Sequence, residues 1–146
     1  MKFLCDGMLG KLCKYLRICG IDTIYCNEGM KILLLAKRED RIVLTKNTQL
    51  KNKNGFFFVE GNDPIIQLKT VLEKFDLAEK INPFSRCLCC NEVLIPVEKE
   101  KIKGRIPYYT YKNFDDFAEC PKCQRVYWKG SHYRKMEKNI KRWLNL

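Results

Sequence analysis

The chain has 146 residues, of which 46% are hydrophobic and 31% charged, and its 28 Lys and Arg against 17 Asp and Glu give a net charge of +11. That length holds one ordinary domain, or a smaller one with a metal-stapled module, and the composition excludes a disordered chain. No apolar run reaches the roughly 18 residues of a bilayer span and no signal-peptide pattern opens the chain, so a cytoplasmic location without a membrane partner is expected.

The first 80 residues alternate strand and helix patterns. Phe3–Cys5 reads as a short buried strand ending in Asp6. An aspartate there has two readings: a helix N-cap, or an oxygen ligand at the carboxyl end of a strand, where α/β sheets gather their ligands. Gly7–Cys19 follows with Met8, Leu9, Leu12, Cys13, Leu16 and Cys19 at helical spacing, and Gly20 closes it as a C-cap would. Thr23–Cys26 is a second strand. Met30–Glu39 is a second helix with Ile32, Leu33, Leu35 and Ala36 inward. Arg41–Thr45 and Gly55–Val59 are further strands, separated by a Lys-Asn loop at 51–54. Asp63 and Pro64 then start a helix through Ile65, Ile66, Leu68, Val71, Leu72 and Phe75. This order predicts an α/β fold, a parallel sheet flanked by helices, over residues 1–82.

From Pro83 the pattern changes. Cys87 and Cys90, then Cys120 and Cys123, each enclose two residues, the spacing with which a tight turn chelates zinc. Four thiolates leave no position for a reactive water, so the zinc is structural. Cys89 is an alternative ligand that leaves only a one-residue spacer. The strand-like stretches Val93–Val97 and Arg105–Tyr111 lie between the pairs, which predicts a zinc ribbon over 83–130. Cys5, Cys13, Cys19 and Cys26 show no ligand spacing and read as small buried hydrophobes. Ser131 can cap a last, basic helix over 131–146, beside His132, the only histidine.

Residues 83–146 carry 14 basic and 7 acidic side chains, against 14 and 10 in residues 1–82. Arg125, Lys129, Arg134, Lys135 and Lys138 are interleaved with Tyr127, Trp128 and Tyr133. That pattern suits phosphate contact with base stacking, although a solvated helix face would read the same way. At the other strand ends the acids are sparse: Glu28 after the second strand, the neutral Asn47 after the third, and Asp63 after the fourth. A divalent-ion nuclease needs several such oxygens to converge.

The stretches FLCDGMLGKLCKYLRICGIDT, AKREDRIVLTKN, DPIIQL, FSRCLCCNEVLIPV and CPKCQRVYWKGSHYRKM run in order from residue 3 to 136. Together they resemble the PIN-like RNase domain with a C-terminal zinc ribbon, the family named for the C-terminal part of the Mut-seven exonuclease. The resemblance implies a PIN-like fold, single-strand endoribonuclease activity with Mg²⁺ or Mn²⁺, and a zinc ribbon that helps to hold RNA. The family's first acid falls on Asp6. Its strand-end acid, usually an Asp after a Thr-Arg pair, falls on Asn47. Its acidic cluster at the second helix falls where this chain reads EGMK, with Glu28 as the one neighbouring acid. Two expected carboxylates are thus missing, and Lys31 and Lys46 would repel a cation.

Three functions follow as expectations. The first is a metal-dependent RNase using Asp6, Asp63, Glu28 and Asn47. The second is an RNA-binding module without chemistry, with Arg125, Trp128, Lys129, His132, Arg134, Lys135 and Lys138 on tRNA, rRNA or another structured RNA. The third is a protein–protein adaptor, whose RNA affinity would ignore loss of the basic tail.

Overall fold

The computed structural model describes residues 1–145. Strands β1 (Phe3–Asp6), β2 (Thr23–Cys26), β3 (Ile42–Thr45) and β4 (Phe56–Phe58) form one parallel sheet in the order β2-β1-β3-β4. Helices α1 (Gly10–Ile18), α2 (Gly29–Glu39) and α3 (Pro64–Lys74) connect or follow them. The main core joins Phe3, Cys5 and Leu44 of the sheet to Leu12 and Leu16 of α1 and Leu68 and Val71 of α3. A smaller cluster beneath α2 joins Leu4, Cys26, Ile32 and Val43. All four cysteines of this half are buried, as their lack of ligand spacing predicts.

Several local expectations change. The first helix begins at Gly10 rather than Gly7, because the Leu9 amide turns back to donate to the Asp6 carbonyl at 2.9 Å. Met8 therefore stays exposed, as does Leu33, which helical spacing places inward. Asp63 does cap α3, accepting from the Ile65 amide at 2.9 Å with Pro64 in the first turn. Gly20 ends α1 with φ +81°, and a Cβ there would collide with the Asn82 carbonyl oxygen, so the close approach of the ribbon strap requires glycine.

The second half holds an antiparallel sheet of β5 (Ile95–Val97), β6 (Phe117–Glu119) and β7 (Val126–Trp128). Only the end of Val93–Val97 is strand; Val93 itself makes an isolated bridge to Arg86. Arg105–Tyr111 is not a strand. Pro107 stops the chain and opens a short helix, α4 (Tyr108–Asn113), in which Tyr111 donates back to the Pro107 carbonyl at 3.0 Å.

The last helix, α5, runs Ser131–Trp143, and residue 146 lies outside the described residues. Ser131 is its first residue rather than its cap; Gly130 holds the cap position and no side chain bonds there. Ile140 is buried in the main core, with Met136, Trp143 and Leu144 packed around it, and Trp143 meets Tyr15 edge-on at 5.8 Å. The basic residues Arg134, Lys135, Lys138, Lys141 and Arg142 are all exposed on the opposite side.

Candidate metal centre and nucleic-acid interface

The four sulfurs of Cys87, Cys90, Cys120 and Cys123 lie within 4.8 Å of one another, and Cys87 and Cys123 are 3.7 Å apart. A tetrahedral zinc with arms of about 2.3 Å has sulfur–sulfur edges of about 3.8 Å. The donor set and its spacing therefore fit a closed ion such as zinc. Cys89 is exposed and lies outside this group, in which Cys90 is the second member.

The two turns that carry the cysteines are built alike. The Cys87 amide donates to the Glu92 carbonyl and the Asn91 amide to Cys87; the Cys120 amide donates to Arg125 and the Gln124 amide to Cys120. The residue after each pair, Asn91 at φ +65° and Gln124 at φ +62°, is left-handed. Backbone amides of Cys90, Lys122 and Cys123 donate to the first sulfur of each pair at 3.4 Å. Such bonds favour thiolate. Yet four sulfurs so close cannot all ionise without a cation, and they split. Cys123 is lowered to about 6, chiefly by the Arg125 amide, while Cys90 is pushed up to about 12 by burial and its sulfur neighbours. A bound divalent ion removes that conflict.

The first turn is clamped to the α/β half. Asn91 donates to Asp22 at 2.7 Å and accepts from the Thr23 amide at 3.1 Å. Asp22 also takes Arg41 at 2.8 Å, and Arg17 donates to the Leu88 carbonyl at 2.9 Å. Burial would raise Asp22, but the bonds from Arg41 and Asn91 outweigh it and hold its carboxyl below the usual range. Asp22 precedes β2, and its place is structural, on the clamp.

These contacts all sit where β1 and β2 begin. Asp6 is at the other end, three residue steps along β1, about 10 Å away. There, between β1 and β3, the strand order reverses, the place where open α/β sheets bind ligands. The Asp6 carboxylate accepts a hydrogen bond from the buried Thr45 hydroxyl, which itself accepts from the Asn47 amide at 3.0 Å. Thr45 is a site residue the acid inventory missed; its signal was a lone hydroxyl ending an apolar strand.

The other candidate ligands do not join Asp6. The Asn47 side chain accepts from the Gln49 amide at 3.0 Å, capping a short turn, and the Asp63 side chain caps α3. Glu28 is exposed at the start of α2 and its side chain makes no cap bond. Among the described residues, the four cysteines are the one group of three or more His, Cys, Asp or Glu side chains near enough to share an ion. A cleft of about 310 Å³ is lined by Lys11, Lys46 and Gln67, with no carboxylate in its lining; Lys46 follows Thr45, which bonds Asp6. Lys46 donates to the Val59 and Gly61 carbonyls, which ties it to the end of β4.

Of the expected RNA contacts, Trp128, Lys129 and His132 line one broad groove between the ribbon and the start of α5. Arg134, Lys135 and Lys138 lie exposed on α5, and Arg125 is exposed beside the second cysteine turn, outside the groove lining.

A parallel α/β domain carrying a four-cysteine module and a basic helix is the class that this arrangement defines. The chain belongs to the Mut7-C RNAse domain family, whose model matches residues 1–140. Comparison with curated proteins gives no match, and neither does comparison with solved structures. Family membership supports a nuclease or RNA-binding role, and no helix among the described residues is long and apolar enough to cross a membrane.

Proposed function

We propose that this chain is an RNA-binding member of the family, held together by a structural zinc on Cys87, Cys90, Cys120 and Cys123, whose sheet end no longer assembles a divalent-ion hydrolase site. The observation that carries this reading is the fate of the strand-end oxygens. Asn47 and Asp63 are spent on caps, Glu28 stands apart, and the cleft that Lys46 lines holds two lysines and no carboxylate. Mg²⁺ prefers near-octahedral oxygen ligands and one or two carboxylates; an ammonium-lined cleft attracts phosphate instead. The exposed basic side of α5 supplies the sequence-independent contacts to an RNA backbone. Structured cytoplasmic RNAs such as tRNA and rRNA remain within this reading.

The nuclease reading rests on a specific observation as well. Asp6 occupies the switch point of the sheet and its carboxylate is oriented by Thr45. A single ion there, completed by water and substrate phosphate, would activate a water for phosphodiester hydrolysis. The two are separated by incubating purified protein with single-stranded and transfer RNA in Mn²⁺ or Mg²⁺, alongside EDTA, Asp6→Asn and Asn47→Asp. We expect salt-sensitive binding but no cleavage by the parent protein, and none by Asn47→Asp, whose carboxylate would take over the same cap. Parent cleavage that disappears in EDTA and in Asp6→Asn would establish the nuclease instead.

A further inference from the structure

The two sides of the parallel sheet are covered unequally. Phe3, Cys5 and Leu44 pack with residues of α1, α3 and α5, whereas the alternate residues Leu4 and Val43 pack with α2. The stripe of α2 that meets them is Ile32, Leu35 and Ala36. Half a turn round the helix, Met30, Leu33 and Leu34 recur at i, i+3 and i+4 and make a second apolar stripe. These three side chains are 82%, 44% and 71% exposed. A helix laid on a sheet needs one apolar stripe, and the second faces water. Single exposed apolar side chains are common, but three on one face with helical spacing form a patch of the kind that receives a partner.

The rim of this patch is basic. Lys37, one turn beyond Leu33, closes the stripe, while Lys31 and Arg38 stand on one flank, and all three are exposed. Of the acids nearby, Glu39 is paired with Arg41 at 2.9 Å and Arg38 at 3.7 Å. Glu28 and Asp40 hold the cap positions, beyond the two ends of the stripe. Further along the same side of the sheet, Lys51 and Lys53 stand over the half-buried rings of Phe58 and Phe56, each 5.2 Å from the ring centre. An occupant with apolar anchors and acidic flanks complements this surface. A second copy of the chain fits it less well. That pairing would bring +11 against +11 and, by two-fold symmetry, set the Lys31–Arg38 flank against itself.

We infer that the outer stripe of α2 docks an acidic amphipathic helix of another protein, with Met30, Leu33 and Leu34 receiving its apolar anchors and Lys31, Lys37 and Arg38 its carboxylates. The mode is one helix packed along another, with anchors at i, i+3, i+4 and i+7. α5 packs on the other side of the sheet, where Ile140 enters the main core. A partner on α2 therefore leaves the basic side of α5 free, and the inference does not rest on the RNA reading.

The test uses the full chain and a labelled synthetic peptide of about 18 residues, long enough to hold a helix, with leucines at i, i+3, i+4 and i+7 and glutamates around them. Anisotropy should show saturable binding. Leu34→Glu and Met30→Glu change exposed positions and keep helix propensity; each should weaken binding about tenfold or more. Combining Lys31→Glu, Lys37→Glu and Arg38→Glu should reverse the preference, toward a peptide with lysine in place of glutamate. Combining Arg134→Gln, Lys135→Gln and Lys138→Gln on α5 should leave peptide affinity at the parent value, which separates docking on α2 from general attraction of acid to a basic chain. Far-UV circular dichroism confirms that each variant is folded. No binding, binding indifferent to Leu34→Glu, or binding lost with the α5 cations overturns the inference. A parent dimer in sedimentation that Leu34→Glu returns to monomer also overturns it, and makes the stripe an interface between copies.

Discussion

Residues 1–82 bury Phe3, Leu4, Leu12, Leu16, Val43, Leu44, Leu68 and Val71 almost completely, whereas residues 83–130 bury to that degree only Ile102 and two of the four clustered thiols. The first half is ordered by apolar surface taken from water, at roughly 25 cal/mol per Å². The second has too little of that surface, and two matched turns bring its sulfurs together instead. The contrast explains where each half can vary. Helices and strands with a core between them keep their shape when strand-end acids are replaced. If one ion supplies the ribbon's order, the ribbon cannot lose a ligand.

The largest expected effect follows directly. Cys120→Ser, or prolonged chelation, should melt the ribbon, because ligand binding in such modules is itself the folding free energy, on the order of 10 kcal/mol. Hydrogen exchange should then show residues 87–128 unprotected while amides of β1 and β3 stay protected. Equal loss of protection in both halves would mean that they fold as one unit and would break the contrast.

A smaller effect should come from the clamp between the halves. Asp22→Asn removes a hydrogen-bonded charge beside Arg41, whose side chain is only 7% exposed, and should cost about 1.5–3 kcal/mol in denaturant melts. The sign of its pH dependence is fixed. Asp22 is held below its unfolded value, so its contribution is present above about pH 4 and is lost as pH falls through the folded value. The gap between parent and variant should narrow in acid; a gap that widens there would contradict the assignment.

The parts of this molecule legible in its sequence are those with local causes. Apolar runs marked all four parallel strands, the Asp63-Pro64 pair marked a helix start, and the cysteine spacing marked the four-sulfur cluster. What the sequence hid depends on distant partners. Asn91 meets Asp22 across 69 positions, and no periodicity encodes that contact. The aromatic segment before Phe114 has strand composition, yet Pro107 turns it into a helix. The basic tail likewise conceals Met136, Ile140, Trp143 and Leu144, a narrow apolar stripe whose role emerges only once Tyr15 and the α/β core are there to receive it. At the sheet end, Asn47 stood at a ligand position in the sequence, and only its hydrogen bond reveals it as a cap.

On the reading proposed above, RNA is held by the ribbon and α5 rather than at Asp6. Its most direct test is the salt dependence of single-stranded RNA affinity for the parent and for a triple variant, Arg134→Gln, Lys135→Gln and Lys138→Gln. Each lost phosphate contact should lower the magnitude of the log–log salt slope by about 0.7. The triple variant should show a shallower slope, weaker binding at low salt, and no change in the metal content of the protein. An unchanged slope and affinity would contradict that reading and leave the basic side of α5 a solvated surface.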